Sequence, residues 1–377
     1  MKVVLAPDSF KGSLDASRVC QIMKEAIHCI DRSVTVQEVP LADGGEGTTD
    51  NFVKVTGGER INAVVHDPLY RPIQAFYGVL GDGKTAVIEV AQASGLPLLK
   101  EKERNPLITS SYGTGELIKH ALDKGYRRFI IGLGGSATND AGAGILQALG
   151  CKLLQENGED LTLGGGSLSK LATIDLNHFD NRIRESSFRV ASDVSNVLCG
   201  NDGASAVFGP QKGATAKMVS VLDRNLAHYA NVVERLDGTD LLSIKGGGVA
   251  GGIGATLVHF FQAEMCSGIE LIMEEIDFNT MLLDADLVFT GEGKIDQQTL
   301  SGKVVMGVGK ETKRLRIPTI AFCGQLDLDH QQLRKIGVTA AFSIVQEACT
   351  LEQAIYHSEK WLNETVKNVY SSLLNTR

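Results

Sequence analysis

Residues 129–150, FIIGLGGSATNDAGAGILQALG, join an apolar run to glycines and then to hydroxyl and amide side chains. Small residues let a backbone approach a ligand, and the free N–H groups and dipole of a helix start favour an anion. Gly134, Gly135, Ser136, Thr138 and Asn139 therefore form a candidate phosphate cradle. The competing reading is a tight strand-to-helix connection that holds no ligand. Carboxylates occupy other glycine-flanked stretches: Asp43 and Glu46 in ADGGEG, and Glu292 and Asp296 in GEGKID. Mg²⁺ is held by one or two carboxylates together with waters and phosphate oxygens, so these four are candidate ligands. Each is also suited to capping a helix. Asp8, Ser9 and Lys11 fall in PDSFKG, and Asp193 follows an apolar run at 188–191.

Such side chains need elements to carry them. Val3–Ala6, 34–40, 129–131, 188–191, 287–290, 317–322 and 340–344 read as buried strands. Helices are expected from Ser13 as N-cap, from Thr48, over 109–122, from Thr138, over 215–236 and 255–265, around 304–313, and from Leu351. Between 61 and 90 the period changes to two, as in antiparallel strands. Head and tail both alternate strand and helix, the pattern of parallel βα units. The expected fold is α/β with two domains. Residues 1–60 and 284–377 form a discontinuous, Rossmann-like, doubly wound parallel sheet, and 61–283 form an inserted mixed-sheet α/β domain. In open parallel sheets ligands bind at the C-terminal ends of strands, and the site is expected in the cleft between the domains.

Two glycine motifs compete with that reading. Gly78, Gly83, Lys84 and Thr85 match G-x-x-x-x-G-K-[ST], but a strand pattern follows the lysine where a phosphate loop needs a helix. Asp82-Gly83 is instead a hairpin signal. Gly246, Gly248 and Gly251 satisfy GxGxxG, preceded only by a short candidate strand at 241–244.

At 377 residues, two domains are the natural expectation. A 43% hydrophobic and 22% charged composition is that of a globular protein. The net charge of −8 argues against an extended nucleic-acid surface. No run approaches the ~18 apolar residues of a membrane span, and only residues 3–6 are apolar before Pro7, far short of a secretory leader. The 7 cysteines are scattered without a CxxC pair, as in a reduced, cytoplasmic protein.

Taken together, APDSFKGSL (6–14), PLADGGEGT (40–48), GLGGSATND (132–140), SDV (192–194), VFGPQKGA (207–214), AGGIG (250–254) and TGEGKIDQQTLSGK (290–303) give a chain that resembles the bacterial glycerate kinase family of the first type over nearly its whole length. The resemblance implies transfer of the ATP γ-phosphoryl group to a hydroxyl of D-glycerate, giving 2-phosphoglycerate in preference to 3-phosphoglycerate, with Mg²⁺ carried by the nucleotide. It implies no nucleic-acid or membrane partner and leaves a homodimer open. Ala141 stands where a glycine is usual, Val197, Cys199 and Asn201 interrupt the usual stretch after SDV, and Tyr70 replaces a small residue.

Phosphoryl transfer is mostly positioning and charge neutralisation. The cradle at 134–139 is the first candidate for the triphosphate. The second is 247–254, with Gly251 and Gly252, for which close packing of backbone is the alternative. Asp193 is the first choice for the base at the acceptor hydroxyl, with Asp8 and Asp296 as rivals. Lys11 is the first choice of cation, then Arg71, followed by Lys212, Lys294 and Lys303. Lys212 reads more readily as a solvated surface charge. Asp8, Ser9 and Arg71 are the expected substrate contacts. GLGGSA also resembles the phosphate loop of the galactokinase–homoserine kinase superfamily, whose fold would not account for the βα series at both ends. A nicotinamide dehydrogenase and a non-catalytic nucleotide-binding module are the readings from other classes.

Overall fold

The computed structural model describes residues 1–41 and 47–374; the candidate metal ligands Asp43 and Glu46 lie outside the described residues. In chain order the strands are β1 (Lys2–Leu5), β2 (Thr35–Glu38), β3 (Glu59–His66), β4 (Pro72–Val79), β5 (Thr85–Glu89), β6 (Arg128–Gly132) and β7 (Lys152–Leu154). They continue with β8 (Thr173–Asp175), β9 (Ser187–Ala191), β10 (Glu264–Cys266), β11 (Leu287–Ile295), β12 (Thr319–Leu326) and β13 (Ala340–Ser343). The chain divides into two compact units, Met1–Asp43 with Ser267–Arg377, and Gly44–Cys266. These divisions fall before the helix Thr48–Thr56 and before the helices that span 268–281, not at 60 and 283.

The first unit is an open sheet of order β13-β12-β11-β1-β2 with every pair parallel. Period-two alternation sends Ile320 and Phe322 to one face and Ala321 and Cys323 to the other. The first face packs on the helices Ala16–Ile30 and Leu351–Leu374 through Val19, Met23, Trp361 and Leu362. The second packs Val305 of the helix Val304–Leu315 and Leu333 of His330–Lys335. Both faces are thus covered, which is why these strands read as continuous apolar runs. The first helix is capped by Asp15, whose carboxylate accepts the Arg18 N–H, rather than by Ser13, which hydrogen-bonds Ser358.

The second unit is a mixed sheet of order β10-β9-β6-β5-β4-β3. β3, β4 and β5 are antiparallel neighbours, and β5, β6, β9 and β10 are parallel. β7 and β8 form a separate antiparallel ribbon. Its core stacks Phe129 on Phe188, with ring centroids 4.7 Å apart, and buries Leu222, Leu226, Tyr229 and Val233 of the helix Ala216–Asp237.

The β4–β5 connection is a hairpin: Asp82 Oδ1 accepts the N–H groups of Lys84 and Thr85, and Gly83 supplies a φ of +64°. Four sequence expectations are corrected. Residues 241–243 form a single 3₁₀ turn, so the GxGxxG stretch lacks its strand. The helix after β6 is only Ala143–Ala148, because Gly142 at φ +74° ends the preceding loop. β11 continues to Ile295, so Glu292 is a strand residue and not a loop residue. The helix at 112–123 starts three residues late, with Thr109, Ser110 and Ser111 buried in the turn before it. Among the described residues no helix is long and apolar enough to cross a membrane.

Candidate active site

In the first unit the chain leaves β1 toward β2 and returns to the other side of β1 at β11, so the strand order reverses between β1 and β11. The crevice outside the carboxyl ends of strands at such a reversal is the ligand site of open α/β sheets. A pocket of about 790 Å³ opens there, lined by Asp8, Ser9, Lys11, Glu292, Lys294 and Lys303 on its polar side. Asp8 is 4% exposed, and its N–H donates to Gly291 O across the crevice (2.8 Å). Its Oδ1 accepts the Ser9 N–H (2.6 Å) and the Ser9 hydroxyl (3.3 Å). Lys11 is exposed.

Glu292 is also buried. Its Oε1 accepts the Thr299 hydroxyl at 2.6 Å and its Oε2 lies 3.6 Å from Lys303 Nζ. Desolvation pushes its carboxyl above the usual range, opposed by Thr299 and Lys303. Asp296 behaves oppositely: the Gln298 N–H (2.8 Å) and Lys294 hold it below that range. Asp296 does not line the pocket, and Lys294 pairs with Asp296 at 3.4 Å and Asp327 at 3.1 Å.

In the second unit the parallel strands β5, β6 and β9 end at Glu89, Gly132 and Ala191. Asp193 lies exposed two residues beyond β9. Glu89, which the sequence did not single out, is buried and accepts the N–H groups of Gly47 and Thr49 at the start of the helix Thr48–Thr56. Burial nevertheless pushes its carboxyl up. The candidate cradle is a loop rather than a helix terminus. Gly135 is exposed, whereas Ser136, Thr138 and Asn139 are buried. Ser136 forms a β-bridge with Gly95, and Ala137 N donates to Ser94 O.

Two buried ionisable side chains, Asp140 and Lys212, hold that loop. Asp140 accepts from the Ser111 N–H (2.8 Å) and hydroxyl (2.9 Å) and from the N–H groups of Gly142 and Gly144. Lys212 is 1% exposed and donates to Ser136 Oγ at 2.9 Å and to Thr138 O at 2.7 Å. This corrects the sequence expectation of a solvated surface charge. The only advance signal was its place in GPQKG, a turn in which Gly213 has a φ of +90°.

Gly251 and Gly252 lie behind the cradle. A Cβ on Gly251 would sit 2.1 Å from Thr138 O, and one on Gly252 would sit 2.8 Å from Ala141 Cα. Ala141 N donates to Gly251 O at 3.0 Å. That is the close-packing role of the second glycine stretch. Arg71 is committed to two carboxylates, Asp67 at 2.6 Å and Glu103 at 2.9 Å. Tyr70 adopts φ 62° and stacks on His66 at 4.0 Å.

Strand-end loops on open α/β sheets, bearing buried charges and a glycine cradle, define a ligand-binding α/β enzyme. The model of the glycerate kinase family matches residues 3–374, and the chain belongs to that family. It is 46% identical to a glycerate kinase of Bacillus subtilis (strain 168), covering 99% of this chain and 98% of the relative. It is 44% identical to the glycerate 2-kinase of Escherichia coli (strain K12), with the same coverage. A crystal structure assigned to glycerate kinase 2 from Salmonella typhimurium LT2 superposes with a TM-score of 0.90 at 45% identity, covering 100% of this chain and 99% of that one. The dehydrogenase and galactokinase–homoserine kinase readings are thereby displaced.

Proposed function

We propose that the protein is an ATP-dependent glycerate kinase that phosphorylates D-glycerate, with the 2-hydroxyl favoured. The observation that carries this reading is the full-length family match, 3–374. The name of the Escherichia coli relative supports the choice of hydroxyl.

The residues divide the work as follows. Gly134, Gly135, Ser136, Thr138 and Asn139 orient the phosphates, supported by Gly251 and Gly252 from behind. Lys11 neutralises charge that builds on the transferring phosphoryl group. Asp193 accepts the proton of the attacking hydroxyl. Asp8 and Ser9 orient the glycerate, with Arg71 contributing only if it is released from Asp67 or Glu103. Among the described residues no group of three or more His, Cys, Asp or Glu gathers as a metal site. Glu292, which lines the pocket, is a hard oxygen donor that would suit an ion needing one or two carboxylates beside phosphate oxygens and waters, and Asp296 would join it only on release from Lys294. Mg²⁺ bound with the nucleotide supplies neutralisation of phosphate charge.

Phosphorus NMR of the product from ATP, Mg²⁺ and D-glycerate tests the reading. The expected result is a new phosphomonoester resonance assigned to 2-phosphoglycerate, with ADP. A 3-phosphoglycerate signal revises the hydroxyl, and the absence of any phosphoester sinks the activity.

A further inference from the structure

The geometry points to Lys212 as the buried cation of the cradle, held from behind by Ser136 and Thr138 and taking up a proton when an anionic group of a substrate settles against residues 134–136. The anion is either a nucleotide phosphate or the glycerate carboxylate, since both present charged oxygens. The inference rests on the reading of 134–139 as a ligand loop of a glycerate kinase.

Four observations carry it. An ammonium with 1% exposure ordinarily needs a carboxylate within hydrogen-bond reach, yet among the described residues Lys212 donates to a hydroxyl and a carbonyl, both neutral. Both acceptors belong to the cradle itself. Thr138 Oγ1 and Asn139 Oδ1, in the same loop, are buried with no hydrogen-bond partner among the described residues. Such orphaned atoms beside a poorly compensated cation mark a place prepared for more charge or polarity than the protein alone supplies. Finally, desolvation depresses the Lys212 amine to about 7, and the charge of Asp140 opposes that shift only in part. Burial pushes the Asp140 carboxyl up in turn, against the pull of the Ser111 N–H and hydroxyl and of the Gly142 and Gly144 N–H groups.

The sign follows from linkage. Near pH 7 the free protein carries Lys212 about half protonated, and a bound anion raises its affinity for the proton. Binding then consumes roughly half a proton per site at pH 7, drawn from solvent, and close to none below pH 6. Affinity for the responsible anion falls by roughly tenfold between pH 6 and pH 8. Lys212 is a positioning and charge-balancing residue and touches the loop rather than the reacting atoms.

Calorimetric titration of the full chain with Mg²⁺–ATP and, separately, with D-glycerate tests this without turnover. Buffers of different ionisation enthalpy report the protons taken up. Whichever ligand shows uptake in the wild type, with uptake and pH slope lost in both Lys212→Met and Lys212→Arg and binding kept better in Lys212→Arg, whose guanidinium stays charged throughout, carries the anion that Lys212 serves. The ligand's own titration is common to all variants and cancels in the comparison. Should Lys212→Met fail to fold, uptake by the wild type against Ser136→Ala decides: loss of the Ser136 acceptor lowers the free amine further, so a larger uptake at pH 7 is expected in the variant, and an unchanged uptake overturns the inference. Binding of both ligands without proton uptake, or with the same slope in Lys212→Met, overturns the inference and leaves the kinase reading intact. Failure of both ligands to bind overturns the inference, and the phosphorus NMR result decides the kinase reading separately.

Discussion

Asp193 and Lys11 are the side chains on which the proposed chemistry places its heaviest demand, and both are exposed, so neither supports the core. Asp193→Asn and Lys11→Met are each expected to lower kcat by at least ~100-fold with the circular dichroism spectrum unchanged. Turnover near that of the wild type in either variant removes that residue from its role. Lys84 provides the contrasting case. It lies exposed in the β4–β5 hairpin, where the turn is held by its backbone N–H and by Asp82 rather than by its ammonium. Lys84→Ala is therefore expected to leave the KM for ATP within about twofold of the wild type, since an exposed turn substitution changes little. A large rise would restore the phosphate-loop reading of that motif.

At the scale of elements, the glycine-rich stretch at 246–254 is a backing plate for the loop at 133–142. Gly251 combines φ +72° with a backbone approach that leaves no room for a methyl group. An alanine there would meet the left-handed penalty of about 1–2 kcal/mol together with a clash against the Thr138 carbonyl. Gly251→Ala is expected to lower the Tm by several degrees and to raise the KM of the substrate that the cradle holds. Unchanged melting and kinetics would show that the two segments are not coupled in this way. The same packing explains why a helix expected from Thr138 begins only at Ala143. Asp140 takes up the N–H groups of Ser111, Gly142 and Gly144, and the chain turns around that carboxylate before helical hydrogen bonds can form.

For the molecule as a whole, the unit Gly44–Cys266 is continuous and has its own core. The helix Thr48–Thr56 belongs to it: Thr49 donates to the buried Glu89, and Val53 and Thr49 lie against Gly78 of β4. A fragment of residues 44–266 is expected to melt cooperatively by circular dichroism. One of residues 61–283 is expected to be poorly folded, because it strips Glu89 of both N–H donors and leaves a buried carboxylate uncompensated. Equal melting of the two fragments would move the boundary back to residue 60.

By itself the sequence determined the elements whose signals are local. Strand runs at 3–6, 129–131 and 188–191, the Asp82-Gly83 turn and the βα alternation at both ends need only side-chain period and turn chemistry, and its motifs identified the family. Tertiary structure alone decided which charges are buried and what they touch. Lys212 and Ser136 stand 76 residues apart, Asp140 and Ser111 29, and Glu89 and Thr49 40. A lysine in a glycine–proline turn reads as solvated until the fold closes over it, because desolvation is a property of its neighbours and not of its own residue type.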